Sequence, residues 1–178
     1  MKYYTGAGDK GKTTITGKTG VAKDSPRVEA YGNLDELEAI LGIAISHADG
    51  HKDVVSILKK MQNLLHVASA ELADPKGKRG MRIAKEHLKW LEDVCDSYGA
   101  KTRPLSTFVL LGGSPAGARL HFARTVARRA ERSLVALWRK ERVSKEMLAF
   151  INRLSSALFV LARYVNERDG YKEESPSY

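Results

Sequence analysis

The chain has 178 residues, 43% hydrophobic and 29% charged, with a formal net charge of +9. That length accommodates one domain with a substantial core, and the composition is that of a soluble globular protein. No unbroken apolar run approaches membrane-span length, "MKYYTGAG" lacks the apolar core of a signal peptide, and the single Cys95 leaves no internal disulfide, so the chain reads as reduced, cytoplasmic and free of membrane contact.

The chain opens on "TGAGDKGKTTITG", residues 5–17. From Gly6 to Thr13 this matches G-x-x-x-x-G-K-[ST], the phosphate loop that links a strand to a helix. Only four residues precede Thr5, and the β-branched "TIT" that follows is a poor helix start. Gly6, Gly8 and Gly11 still leave backbone N–H groups free to converge on phosphate oxygens, and Lys10 and Lys12 add charge.

Helical periodicity then takes over. The first helix follows Asp24 and Ser25 as cap candidates and Pro26 in its first turn, with Val28, Tyr31, Leu34, Leu37, Leu41, Ala44 and Ile45 as its apolar face. A second spans about 53–73 on Val54, Leu58, Met61, Leu65, Ala68 and Leu72, and "PKGKRG" breaks it. A third spans about 81–98 on Ile83, Leu88, Leu91 and Val94, where Cys95 reads as a buried thiol. After the short apolar run "FVLLGG", a fourth helix spans about 115–142 on Leu120, Ala123, Ala127, Ala130, Leu134 and Leu137. The fifth spans about 144–168 on Leu148, Ile151, Leu154, Leu158, Leu161 and Val165. The pattern predicts an all-α, five-helix antiparallel bundle with almost no strand, one domain over residues 1–170, and a disordered tail over 171–178. A Walker fold needs alternating strands and helices, so the opening match is not a Walker loop.

The charge excess is localised. Residues 1–23 carry five Lys and one Asp, residues 119–142 carry eight Lys or Arg and two Glu, and the remainder carries 17 basic and 18 acidic residues. If the two basic segments meet, they form a compact anion site; if they lie apart, they suggest a nucleic-acid footprint. Arg124, Arg128, Glu131 and Arg132 project from roughly one side of the fourth helix. A solvated charged face explains this arrangement; so does bidentate phosphate recognition, which suits Arg better than Lys. Asn152 in "INRLSSALF" is either a boundary polar residue or part of the same site. Only Phe122 and Trp138 offer stacking surfaces in the second basic segment, which argues against nucleic acid. The five histidines show no ligand spacing, so no protein-bound metal site is assigned.

Five blocks, "TGAGDKGKT", "KDSPRVEAYGNLDEL", "FVLLGG", "ARTVARRAER" and "INRLSSALFVLAR", together resemble the PduO-type ATP:corrinoid adenosyltransferases, in the family's order and over nearly the whole chain. The resemblance implies a homotrimer with active sites between subunits, and transfer of the 5′-deoxyadenosyl group of ATP to Co(I) of cobalamin or a related corrinoid, with release of triphosphate. It implies a glycine-rich N-terminal nucleotide loop lined by Thr5, Gly6, Gly8, Lys12, Thr13 and Lys23. Arg128, Glu131, Arg132 and Asn152 would complete the ATP site, with Mg²⁺ on the phosphates. The two basic segments would then meet at one polyanion, and Arg139 would lie outside the site.

The nucleophile in such a reaction is Co(I), so no general base is needed; the protein positions C5′ and neutralises the leaving group. The resemblance gives Phe108 the role of pressing on the corrinoid's lower face to remove an axial ligand before Co(II) is reduced by a separate reductase; on composition alone Phe108 reads as core packing. Asp35 and Arg124 match a pair that bridges neighbouring subunits near the corrinoid. Two positions depart from the family pattern: Leu111 stands where it has proline, and Ser156 where it has aspartate.

Overall fold

The computed structural model describes residues 2–16, 18–78 and 80–177. Gly17 of the opening stretch, Arg79 of the break after the second helix and Tyr178 of the tail lie outside the described residues. A hairpin, β1 (Lys12–Ile15) and β2 (Lys18–Ala22), precedes α1 (Pro26–Ile45), α2 (Lys52–Ala73), α3 (Lys85–Gly99), α4 (Pro115–Trp138) and α5 (Lys145–Arg168). The five-helix expectation therefore holds. α4 and α5 pack together at the centre; α1 lies against α4, α3 against α5, and α2 against α1.

The core follows from the periodicity. Leu34, Leu37 and Leu41 of α1, Leu58, Met61 and Leu65 of α2, Leu120, Leu134 and Leu137 of α4, and Leu154, Leu158 and Leu161 of α5 are all buried. Each such side chain stabilises the fold by roughly 1.5–3 kcal/mol relative to exposure. Small residues on α4, namely Ala116, Gly117, Ala123, Ala127 and Ala130, let the central helices approach closely. α5 is by length and mean hydropathy long and apolar enough to pass for a membrane span, although polar residues interrupt its apolar run, and its apolar residues face α4 and α3 inside the bundle.

The structure corrects or extends the sequence reading at four places. The hairpin is the small strand content of an otherwise helical chain, placed by the structure in the opening stretch: β1 and β2 pair antiparallel, Lys12 with Ala22 and Thr13 with Val21, which suits their β-branched residues. Buried Ile15 and the Thr16 N–H, which donates to Ala73 O at 3.0 Å, seat this hairpin on the end of α2. α3 begins at Lys85 because Ala84 is extended and the Ile83 N–H is taken by Glu71 Oε2 at 2.8 Å. α4 ends at Trp138; beyond it Glu141 is captured by Arg27, whose Nε and Nη2 donate to Glu141 Oε2 at 2.9 and 2.7 Å. Residues 171–177, expected to be disordered, take a defined course along residues 103–111: Leu110 N–H donates to Glu174 O at 2.8 Å, and Arg163 Nε donates to Glu173 Oε1 at 2.7 Å.

The caps are uneven. Ser25 holds the N-cap position of α1 without a side-chain cap bond, whereas Ser114 and Ser144 accept from Gly117 N–H and Met147 N–H, each at 3.1 Å.

Candidate functional site

The N-terminal loop is built from tight backbone turns. Gly6 and Gly11 both sit at φ +71°, which favours glycine. Asp9 N–H donates to Gly6 O and Gly11 N–H to Gly8 O, each at 3.2 Å, while Lys23 N–H reaches back to Gly11 O at 2.9 Å. A Cβ on Gly8 would stand 2.9 Å from Lys23 Nζ, so the missing side chain is what lets the ammonium lie against the loop. Thr5 Oγ1 accepts from Ala7 N–H at 3.3 Å. Thr5, Gly6, Lys12 and Lys23 are exposed, and Gly8 and Thr13 partly so. The result is a solvent-facing loop of glycines and ammonium groups, suited to an anion.

The second cluster lies on α4 and α5. Arg128, Glu131, Arg132, Arg139 and Asn152 line one open cavity of about 460 Å³. Asn152 Nδ2 donates to Glu131 Oε1 at 2.9 Å, and Asn152 Oδ1 accepts from Arg153 Nη1 at 2.9 Å. Arg153 is itself held by Glu92, Nε to Oε1 at 3.1 Å. The Asn152 amide is thus oriented by partners on both sides. Three guanidinium groups on one cavity can grip a multivalent anion bidentately. Arg139, expected to lie outside, belongs to this cavity; it follows Arg132 by seven residues, two helical turns, and that spacing was the overlooked signal. Ser156, where an acceptor was lost, is exposed and donates to Asn152 O at 3.4 Å.

The two basic segments do not meet around this cavity within one chain. Among the described residues, its lining comes from α4, the Arg139 that caps it, and α5, with none from the N-terminal loop.

Arg124 points elsewhere on α4. Its guanidinium lies over the Phe159 ring, 5.7 Å from the centroid, and its buried Nε has no hydrogen-bond partner. Burial, with Arg128 close by, lowers its pKa from the usual arginine value. Asp35 is exposed on α1, and among the described residues it forms no ion pair with Arg124. Beside Arg124, His121 is buried and driven down to about 4, by desolvation first and by the positive charges of Arg124 and Arg163. Nothing in its sequence context marked this histidine.

Phe108 is 81% exposed, which excludes the core-packing reading. Leu105, Leu110 and Leu111 of the same segment are about half exposed, and Phe108 and Leu105 share an open cavity of about 570 Å³ with Pro176 of the tail. An exposed aromatic flanked by half-exposed leucines is an apolar patch of the kind that marks interaction surfaces.

A helical bundle carrying a cationic cavity, a glycine-rich cationic loop and an exposed aromatic edge is a helical anion-binding architecture outside the Walker folds. The chain belongs to the cobalamin adenosyltransferase family, whose model matches residues 3–165. It is 39% identical over 173 residues to the corrinoid adenosyltransferase of Bacillus subtilis, covering 96% of this chain and 89% of that one. It is 42% identical over 165 residues to a corrinoid adenosyltransferase of Citrobacter freundii, covering 91% and 93%. Its fold superposes with a TM-score of 0.93, at 37% identity and covering 98% and 96% of the two chains, on a variant PduO-type ATP:corrinoid adenosyltransferase from Lactobacillus reuteri complexed with cobalamin and ATP.

Proposed function

We propose that this chain transfers the 5′-deoxyadenosyl group of ATP to the Co(I) of cobalamin or a related corrinoid. The Co(I) electron pair attacks C5′, a cobalt–carbon bond forms, and the C5′–O bond breaks with its electron pair leaving on triphosphate. The cavity lined by Arg128, Glu131, Arg132 and Asn152 carries this reading, because the leaving group is a polyanion and the arginines hold charge there before the reaction starts.

Within that reading, Arg128 and Arg132 hold the triphosphate, and the Asn152–Glu131 bond at 2.9 Å keeps the carboxylate oriented. Thr5, Gly6, Gly8, Lys12, Thr13 and Lys23 close over the phosphates from the N-terminal loop. Mg²⁺ accompanies ATP and offsets phosphate charge; hard oxygen ligands suit it, and Glu131 is the carboxylate this cavity supplies. The loop does not line the cavity within one chain, which supports completion of the site by a second subunit; the homotrimer is what the family resemblance implies. Asp35 and Arg124, unpaired with each other within the chain, bridge that contact beside the corrinoid. Phe108, 81% exposed, presses on the corrinoid's lower face and displaces the axial ligand, easing reduction of Co(II) by a partner reductase. The setting is cytoplasmic.

The test is direct: mix the protein with ATP, Mg²⁺ and chemically reduced cobalamin, and follow the visible spectrum in the dark. Appearance of the light-sensitive alkylcobalt spectrum is the expected result. A spectrum that never changes while ATP persists overturns the proposal.

A further inference from the structure

The segment that carries Phe108 is irregular, and Leu111 imposes no ring constraint on its backbone, so its aim must come from hydrogen bonds. One side chain supplies two of them. Asn166 on α5 is 3% exposed; its Nδ2 donates to Gly112 O at 2.8 Å, and its Oδ1 accepts from Ser114 N–H at 3.0 Å. Both ends of a buried amide are therefore spent on the two peptide groups that flank Gly113. That glycine sits at φ +112°, and a Cβ on it, or on Gly117 one helical turn later, would overlap the Asn166 amide. Gly113 and Gly117 of "GGSPAG" leave the room in which the loop closes on this side chain.

Asn166 also anchors the other flank. Its backbone O accepts from Tyr171 N–H at 2.8 Å, which turns the chain back after α5, and the returning tail offers Glu174 O to Leu110 N–H at 2.8 Å. The Phe108 segment is thus held at Gly112 by the Asn166 side chain, and at Leu110 by the tail, whose turn begins on the Asn166 backbone; Thr107 Oγ1 also meets Ser175 Oγ of the tail at 2.8 Å. Phe108 stands two residues before one anchor and four before the other.

We propose that Asn166 is a positioning residue for the reaction: it sets the aim of Phe108 without touching ATP. The amide is needed as such, because the site demands one donor and one acceptor from the same buried group; a carboxylate would set its charge against Gly112 O. The inference rests on the proposed role of Phe108 at the corrinoid's lower face.

The experiment uses the full chain and two assays, one starting from Co(II) cobalamin with a reductant and one from pre-reduced Co(I). Phe108→Ala, Asn166→Ala and Asn166→Asp are compared with wild type, together with the KM for ATP and hydrogen exchange across residues 105–113. Asn166→Asp keeps the side chain's shape and serves where Asn166→Ala does not fold. We expect the Asn166 variants to lose about tenfold or more from Co(II), to stay within about threefold of wild type from Co(I), and to keep the KM for ATP. Exchange over 105–113 rises while that over the middle of α5 does not. A merely structural residue would lower both assays together, and that result overturns the proposal. A split in Phe108→Ala with none in the Asn166 variants overturns this inference alone; no split in Phe108→Ala overturns the role of Phe108 and this inference with it.

Discussion

The guanidinium of Arg27 holds Glu141 across 114 residues of sequence, through Nε at 2.9 Å and Nη2 at 2.7 Å, while its Nη1 donates to Leu72 O at 2.8 Å. One nearly buried side chain thereby ties the start of α1, the end of α2 and the turn after α4. The same end of α2 receives the hairpin through Ala73 O. Arg27→Ala should destabilise the chain by about 2–3 kcal/mol, since hydrogen bonds to charged groups are worth roughly 1.5–3 kcal/mol and Leu72 O loses its donor. Glu141 is 44% exposed, so Glu141→Gln should cost only about 1 kcal/mol. Urea unfolding of the three proteins checks the order, which fails if the two variants match.

Arg128→Lys keeps the charge but loses the planar fork, and should slow turnover about tenfold. Arg139 lines the same cavity, so Arg139→Lys should raise the KM for ATP about threefold. Arg119, whose Nη1 donates to its own helix at Pro115 O, is the control, and Arg119→Lys should be silent. Steady-state kinetics with ATP varied separates the three; equal behaviour would reduce the stripe to a solvated face.

If Asp35 and Arg124 bridge subunits as proposed, Asp35→Asn should loosen assembly and weaken corrinoid binding, because it would leave Arg124, whose buried Nε has no partner within the chain, without a counter-charge. Sedimentation velocity at micromolar concentration should show a wild-type trimer and a variant that dissociates on dilution. A wild-type monomer would end the shared-site reading. A trimer indifferent to the substitution, with normal corrinoid affinity, would end only the role of this pair.

His121 gives the fold a pH dependence of calculable sign. Its pKa falls from 6.5 to about 4 on folding, so between those values the unfolded chain takes up a proton that the folded chain refuses. Stability conferred by the neutral ring is present above pH 6.5 and is lost as pH falls toward 4, on the order of 3 kcal/mol in all. The groups around it are Arg124 and Arg163, which oppose its charge, and Glu173, which favours it. Denaturation midpoints of wild type and His121→Gln, measured from pH 7 to pH 4, should converge as pH drops. Parallel curves would show that the histidine does not titrate with folding.

Much of the molecule was legible before any coordinates. The buried faces of α2, α4 and α5 coincide closely with the leucines and alanines at spacings of three and four, and Arg128, Glu131 and Arg132 share a cavity because helical spacing put them on one side. Spacing also held the signal for Arg139, which the family blocks did not cover.

The illegible parts all depend on distant partners. The tail looked disordered because its composition is polar, yet Arg163 and Leu110 give its carboxylate and carbonyl somewhere to go. Asn166 carried no signal in the sequence, and is an anchor only because Gly112 and Ser114, more than fifty residues earlier, are brought to its two ends. The five helices, their inward faces and the cationic stripe were determined by the sequence itself, because periodicity and helix propensity are local properties that each segment carries alone. The hairpin's seat, the aim of Phe108 and the separation of the two basic segments were decided by tertiary structure, because a loop's hydrogen bonds are satisfied by whichever donor or acceptor the packed helices bring to it.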